Sequence, residues 1–174
     1  METKTKLGNE SLGMTMVFLN DETRPDDKSF DMEWEVFPNT DGPPIHIHPH
    51  AIETYEILEG EMEFYIDGQW LKARQGDKLV AEIGQAHTFR NKSNAIARVY
   101  NTHQPAMNFR GFFTGLHNFS QSGPVKNGKM TFKGILGIST LFTNYPKEIV
   151  SVNPPAFVMK VFSWLGKAVG INYK

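Results

Sequence analysis

The feature that most constrains the fold is a series of short segments in which apolar and polar residues alternate. In the segment FDMEWEVF, the side chains of Met32, Trp34 and Val36 would share one face of an extended chain, and two glutamates would share the other. This period-2 alternation is typical of a half-buried β-strand. Between FYI and QWL, the dipeptide Asp67-Gly68 is a strong signal for a β-hairpin turn.

Comparable segments recur along the first 105 residues, and short turns, most of them containing glycine, separate them. The predicted strands cover residues 14–19, 30–37, 54–58, 61–66, 69–73, 78–82, 87–91 and 95–102. Many short strands at close spacing favour an antiparallel sandwich or barrel. The polar residues 1–12 are predicted to form a flexible N-terminal tail.

The pattern changes after about residue 105, where we predict a mixed and mainly helical extension over 106–174. Residues 108–119 and 130–142 are interpreted as helical or mixed, and 154–170 as a clearer helix that begins at two prolines. We expect one face of this helix to be an apolar stripe that packs on the β-unit or on a partner subunit. The stripe consists of Phe157, Val158, Val161, Leu165, Ala168 and Val169, and the opposite face of Lys160, Ser163 and Lys167.

Composition narrows the class of protein. A chain of 174 residues with 40% hydrophobic content is expected to form a single domain with a substantial core. Its formal charge of −1 argues against a nucleic-acid-binding protein. The absence of cysteine excludes disulfides, thiolate metal sites and a cysteine nucleophile. The N-terminus lacks the apolar segment of a signal peptide, so we expect a cytoplasmic protein.

Several potential metal-binding side chains lie in the stretch GPPIHIHPHAIETYEILEG. On a strand, His46 and His48 would point the same way, because residues i and i+2 lie on one face. After a turn, Glu53 would begin the next strand, and His87 begins another predicted strand. Three imidazoles and a carboxylate form a competent ligand set for one divalent iron, manganese, nickel, copper or zinc ion. The residues alone do not choose among these metals.

The stretch GPPIHIHPHAIETYEILEG and a second stretch, GDKLVAEIGQAHTFRN, resemble the two cupin motifs. The motifs are written G-x5-H-x-H-x3,4-E-x6-G and G-x5-P-x-G-x2-H-x3-N. Here His46-x-His48 is followed by four residues, then Glu53, six residues and Gly60. The second stretch runs from Gly76 through seven residues to Gly84, two residues to His87 and three residues to Asn91. Two turn positions depart from the pattern. Three residues instead of five separate Gly42 from His46, and Glu82 replaces the proline of the second motif.

The resemblance implies an all-β fold, a cupin-type jelly-roll β-barrel over residues 13–105 with a C-terminal helical extension. It also implies that His46, His48, Glu53 and His87 are the metal ligands. By the same resemblance, the function is that of an oxygen-dependent dioxygenase acting on a small aromatic or flavonoid-like substrate. Glu53 would then act as a base, and Tyr55 would donate a hydrogen bond to the substrate. The alternative is a non-catalytic cupin that binds or senses a small ligand.

Partners follow from the same reasoning. The resemblance implies a homodimer, with a small-molecule substrate and no nucleic acid. For the helix within residues 154–174, we favour packing over contact with a membrane surface. The strand pattern also predicts interior side chains, namely Tyr55, Ile57, Met62, Phe64, Ile66 and Phe89. His103 and His117 lie outside both motifs and are assigned no role.

Overall fold

The computed structural model describes residues 5–19 and 28–173, and within them it contains fourteen strands and three helices. The strands are β1 Thr5–Asn9, β2 Met14–Phe18, β3 Phe30–Val36, β4 Thr40–Asp41, β5 Ile45–Ile47, β6 Ile52–Glu59, β7 Glu61–Ile66, β8 Gln69–Arg74, β9 Lys78–Ala81, β10 His87–Asn91, β11 Ala97–Gln104, β12 Val125–Lys126, β13 Lys129–Met130 and β14 Val150–Asn153. The helices are α1 Phe109–Gln121, α2 Phe132–Asn144 and α3 Ala156–Ala168, and a short 3₁₀ turn covers Glu10–Leu12.

The long strands form two antiparallel sheets. One has the order β1-β2-β3-β11-β6-β9, and the other has the order β14-β5-β10-β7-β8, with β4 paired to β10. In the described residues the hydrogen bonds join strands within each sheet and not around a closed barrel. The architecture is therefore a jelly-roll β-sandwich with C-terminal helices, which refines the predicted barrel.

The period-2 pattern places the core between the two sheets. On β3, Met32, Trp34 and Val36 are buried, and the glutamates between them are only partly so. The predicted interior side chains of the other strands are also buried, except Ile66, which is half-buried at the edge of the core. The alternation thus determines which face of each strand points into the core between the sheets.

The N-terminal segment corrects the prediction of a flexible tail over residues 1–12. Residues 5–9 form β1, which pairs with β2 from Thr5↔Phe18 to Asn9↔Met14. The sequence pattern did not predict this strand, because the strand is held by backbone hydrogen bonds and buries little apolar surface, chiefly that of Leu7. Residues 1–4 of the predicted tail lie outside the described part of the chain.

The C-terminal extension folds back over one end of the sandwich. Four phenylalanines of α1 are buried: Phe109, Phe112, Phe113 and Phe119. The ring of Phe113 stacks on Phe30 at 5.8 Å and lies 6.5 Å from Trp34. Strand β14 then pairs with β5, so that Ser151 lies opposite His46. The extension thus adds a strand beside the predicted ligand segment, a feature the sequence analysis missed.

Helix α3 occupies the predicted position, but the expected direction of its apolar stripe is wrong. Its buried residues are Met159, Ser163 and Gly166, whereas Phe157 and Val161 face outward. The reason is close packing on α2, which favours small side chains at the contact. Within the described residues, we find no helix long and apolar enough to cross a bilayer.

Candidate metal centre

Three strands bring the four predicted ligands to one point inside the sandwich. His46 lies on β5 directly opposite His87 on β10, His48 follows β5, and Glu53 lies near the start of β6. All four are at most 4% exposed. One ligand atom from each residue can be chosen so that all four atoms lie within 4.8 Å of one another. The cluster could therefore hold a metal ion.

The three imidazoles share one hydrogen-bonding arrangement. Each donates its Nδ1–H to a backbone carbonyl: His46 to Pro44 (2.8 Å), His48 to Glu148 (2.6 Å) and His87 to Gln85 (2.8 Å). A carbonyl oxygen only accepts, so this bond fixes the proton on Nδ1 and leaves the Nε2 lone pair of each neutral ring available. Metal-binding histidines in proteins commonly use such a carbonyl to set ring orientation and tautomer.

The carboxylate of Glu53 completes the donor set. Its Oε2 lies 2.9 Å from Nε2 of His48 and 2.8 Å from Nε2 of His87. With both rings neutral and protonated on Nδ1, these contacts would bring acceptors together with no proton between them. A divalent cation resolves that conflict, since each of these atoms is a good ligand for it. The residues present therefore fit a metal ion of the kind that the sequence predicts.

The other oxygen of Glu53 is held by two residues of β11. Asn101 donates from Nδ2 to Oε1 at 2.8 Å, and His103 places Nε2 3.3 Å from the same oxygen. Both side chains are fully enclosed, and the ring of His103 lies 4.0 Å from that of Phe109. These contacts anchor Oε1 and leave Oε2 directed at the three imidazoles.

Sequence analysis missed the roles of Asn101 and His103. The signal in the sequence was the alternation of residues along β11, which places both side chains on the inward face with Ala97 and Val99. His103 pairs across the sheet with Glu53, a register that no motif specifies. His103 therefore belongs to the site despite lying outside both motifs.

Burial and neighbouring charges give His46 and Glu53 the protonation states that a metal requires. Burial, followed by the nearby charges of His87 and His48, holds the pKa of His46 well below the ordinary histidine value. Burial alone would raise the pKa of Glu53, but the neighbouring histidines, His103 first, outweigh it and hold this pKa well below its usual range. His46 is thus neutral and Glu53 ionised near neutral pH.

His87 behaves differently from His46 in the metal-free cluster. Burial opposes protonation of His87, yet the hydrogen bond and charge of Glu53 outweigh it and raise the pKa. This imidazole is therefore the group that carries a proton most readily when no cation is present. A bound cation would take the place of that proton beside Glu53.

A cavity of about 470 Å³ opens beside the ligand cluster. His46, His48 and Glu53 form its inner end. The walls are mainly apolar, and their aromatic side chains come from both sheets and from α1 and α2: Trp34, Tyr55, Phe89, Phe112, Phe113, Phe119 and Phe142. Of the interior side chains predicted from the strand pattern, Tyr55 and Phe89 line the cavity, and Ile57, Met62, Phe64 and Ile66 do not. The pocket is thus completed by helices of the C-terminal extension.

Tyr55 lies at the boundary between the ligand cluster and the aromatic walls. It is 2% exposed and follows Glu53 by two residues on the inner face of β6. Burial first, and then the charge of Glu53, raise the pKa of its phenol well above the ordinary value. Tyr55 therefore keeps its proton and can act as a hydrogen-bond donor to a molecule in the cavity.

Comparison with known proteins agrees with this geometry. Residues 32–103 match the family model described as "Cupin domain". The match contains all four predicted ligands, together with Asn101 and His103. A search of curated proteins found no match to this chain.

Several solved structures share the fold. An RmlC-like cupin from Shewanella frigidimarina is 16% identical, with a TM-score of 0.53 over 63% of this chain and 90% of that one. A sugar phosphate isomerase of the cupin superfamily from Silicibacter pomeroyi is 17% identical, with a TM-score of 0.52 over 59% and 71%. A protein from Thermotoga maritima described as a predicted oxalate decarboxylase is 21% identical, with a TM-score of 0.51 over 59% and 92%. At such identities the likeness concerns the fold alone. The motifs and the matched family model together identify residues 32–103 as a cupin domain.

Proposed function

We propose that this chain is a metal-dependent cupin enzyme, specifically a dioxygenase that uses molecular oxygen to oxidise a small aromatic substrate. The observation that carries the proposal is the aromatic cavity ending on the cluster of His46, His48 and Glu53. Its volume of about 470 Å³ lies within the range of pockets that bind small organic ligands. A planar substrate would stack on the walls while a polar group reached the cluster.

His46, His48, Glu53 and His87 would hold one divalent metal ion per chain. When bound, the ion supplies Lewis-acid polarisation and, for a redox-active metal, the electron transfer that oxygen chemistry needs. Imidazole and carboxylate donors suit iron, manganese, nickel, copper and zinc, of which only the redox-active ions fit an oxidation. The proposed function therefore expects activity with iron, manganese, nickel or copper and none with zinc.

Two protein groups have distinct roles in the proposed reaction. Glu53 is ionised, and its Oε1 is anchored by Asn101, so Oε2 is placed to accept a proton from a substrate hydroxyl. Tyr55 keeps its proton and donates a hydrogen bond that orients the substrate. The aromatic walls exclude bulk water, which strengthens both interactions.

Oxygen consumption tests this proposal most directly. The metal-free protein is loaded separately with iron, manganese, nickel, copper and zinc and is then supplied with flavonols and catechol-like compounds. We expect oxygen uptake that depends on substrate and on a redox-active metal, with isotopically labelled oxygen appearing in the product. Ligand binding without turnover for every metal would contradict the enzyme and favour the non-catalytic binding cupin.

Two tyrosine variants distinguish the role of Tyr55 from a general effect of removing a hydroxyl group. We expect Tyr55→Phe to lower kcat while the metal content is retained, since Tyr55 is not a ligand. Tyr65→Phe is the matched control, because Tyr65 lies on β7 with its ring against Trp70 and does not line the cavity. Equal activities of the two variants would remove Tyr55 from the mechanism.

A further inference from the structure

The outward face of α3 carries large apolar side chains at helical spacing. Phe157, Val161 and Trp164 recur every three or four residues and are 69%, 56% and 70% exposed. Val169, just after the helix, is 69% exposed. We call these four residues the α3 stripe. A helix in a globular protein normally buries such a stripe, so its exposure calls for a binding partner.

The orientation of α3 is fixed by its contact with α2. The hydroxyl groups of Ser163 and Thr143 hydrogen-bond across the interface. A Cβ atom added at Gly166 would lie 2.7 Å from Oγ1 of Thr140 and 3.2 Å from the carbonyl oxygen of Leu136. This contact accepts only small side chains, so α3 cannot rotate to bury its stripe without forcing aromatic rings into the interface.

Exposed apolar side chains also occur at the start of α2, the helix that packs on α3. Phe132, at the start of α2, is 63% exposed, and its ring centroid lies 6.4 Å from that of Phe162 on α3. Two residues earlier, Met130 is 40% exposed and lines the cavity. Phe132 therefore adds an exposed aromatic ring on α2 next to α3, and Met130 near it in the sequence lines the cavity.

The charged side chains on α2 and α3 are all of one sign. Lys160 and Lys167 on α3 and Lys133 on α2 are exposed. Neither helix contains an acidic residue, and the sequence has none after Glu148, which is itself buried. A second copy of the chain placed face to face on this surface would bring lysines near lysines. An anionic partner complements the charges instead.

We propose that the α3 stripe and its lysines dock this protein on an anionic lipid bilayer. Exposed tryptophan and phenylalanine beside lysine, on a helix too short to span a bilayer, are typical of a helix lying in the membrane interface. The rings would enter the boundary between headgroups and acyl chains, and the lysines would contact anionic headgroups. This proposal does not depend on the proposed enzymatic activity.

Co-sedimentation with lipid vesicles tests the docking. The probes are vesicles of phosphatidylcholine alone and of phosphatidylcholine mixed with phosphatidylserine. We expect binding to the mixed vesicles, weakened by high salt, and little binding to neutral ones. The double variant Phe157→Ser, Trp164→Ser should lose this binding. Ile83→Ser is the matched control, because Ile83 is 56% exposed on a different part of the surface. Equal loss in the control, or no binding by the wild-type protein, would overturn the proposal.

The lysines provide a second and independent readout. Replacing Lys160 or Lys167 with Gln should each weaken binding to the mixed vesicles about fivefold. Lys72→Gln, on β8 of the sandwich, should leave binding unchanged. Quenching of tryptophan emission by brominated lipids should disappear in Trp164→Phe, a variant that keeps an aromatic ring. Quenching that persists in this variant would place another part of the protein at the membrane.

Light scattering without lipid distinguishes a membrane surface from a dimer interface. The wild-type protein and the double variant should have the same mass under these conditions. A dimeric wild-type protein that becomes monomeric in the double variant would assign the α3 stripe to a second copy of the chain and overturn lipid docking. The predicted homodimer remains compatible with docking only if it uses another surface.

Discussion

Replacing Asn101 with Ala tests the anchoring of Glu53. Asn101 donates to Oε1 of Glu53 at 2.8 Å and to the carbonyl oxygen of Thr54 at 3.1 Å. Losing a hydrogen bond to a buried charge costs about 1.5–3 kcal/mol. Where the lost bond orients a metal ligand, the metal affinity typically falls about 10- to 100-fold. We expect a decrease of that size, because His103 at 3.3 Å is then the only remaining anchor of Oε1 among the described contacts.

Asn91 is the matched control for this experiment. Like Asn101 it is fully buried, but its amide donates to the carbonyl oxygens of Val36 and Ala95 and does not contact Glu53. The assay is competition for Zn²⁺ or Ni²⁺ against a chromophoric chelator, with urea unfolding of the metal-free proteins alongside. Asn91→Ala should lose stability and keep its metal affinity. Equal metal affinities in the two variants would refute the role assigned to Asn101.

Three further predictions concern the ligands and the core. His48→Ala should lose most of its bound metal, because the three remaining ligands hold the ion less well; full occupancy by elemental analysis would contradict the assignment. Metal affinity should fall as the pH is lowered through the raised pKa of His87, because a proton competes with the ion for that imidazole. The loss should therefore begin above the pH at which an ordinary histidine titrates. An affinity unchanged down to about pH 4 would count against a histidine site. Phe64→Ala, at a fully buried position, should lower the free energy of unfolding by about 3–5 kcal/mol in urea denaturation, and a much smaller change would show that Phe64 is not part of the core.

The sequence predicted the strands of the sandwich well, because burial on one side of a sheet imposes a period of two. The alternation on β3 fixes which side chains face inward. The same periodicity placed His46 and His48 on one face, and the motif spacing added Glu53 and His87. The structure brings one ligand atom from each of these four residues within 4.8 Å of the others.

Other parts of the site depend on contacts between distant segments, which a sequence pattern does not encode. The carbonyl oxygen of Glu148 that orients His48 lies 100 residues further along the chain. Strand β14, which pairs with β5, is only four residues long. Asn101 and His103 gain their roles from the register of β11 against β6. The cavity likewise takes part of its wall from α1 and α2, which are distant in sequence from the ligand motifs.

Helix α3 shows why hydrophobic periodicity does not always indicate the buried face. Periodicity predicted that Phe157 and Val161 would pack and that Ser163 would face solvent. The structure has the reverse arrangement, because small residues allow α2 and α3 to approach closely. For this helix, the close contact between two backbones outweighs the burial of apolar side chains.

The central claim is that one divalent ion binds between the three imidazoles and Glu53. Elemental analysis of protein that has been stripped of metal, incubated separately with each candidate ion and dialysed measures this directly. We predict one tightly held ion per chain, lost in the double variant Glu53→Ala, His87→Ala. Protein that retains no ion after exposure to iron, manganese, nickel, copper and zinc, or that retains the same amount in the double variant, would contradict the claim.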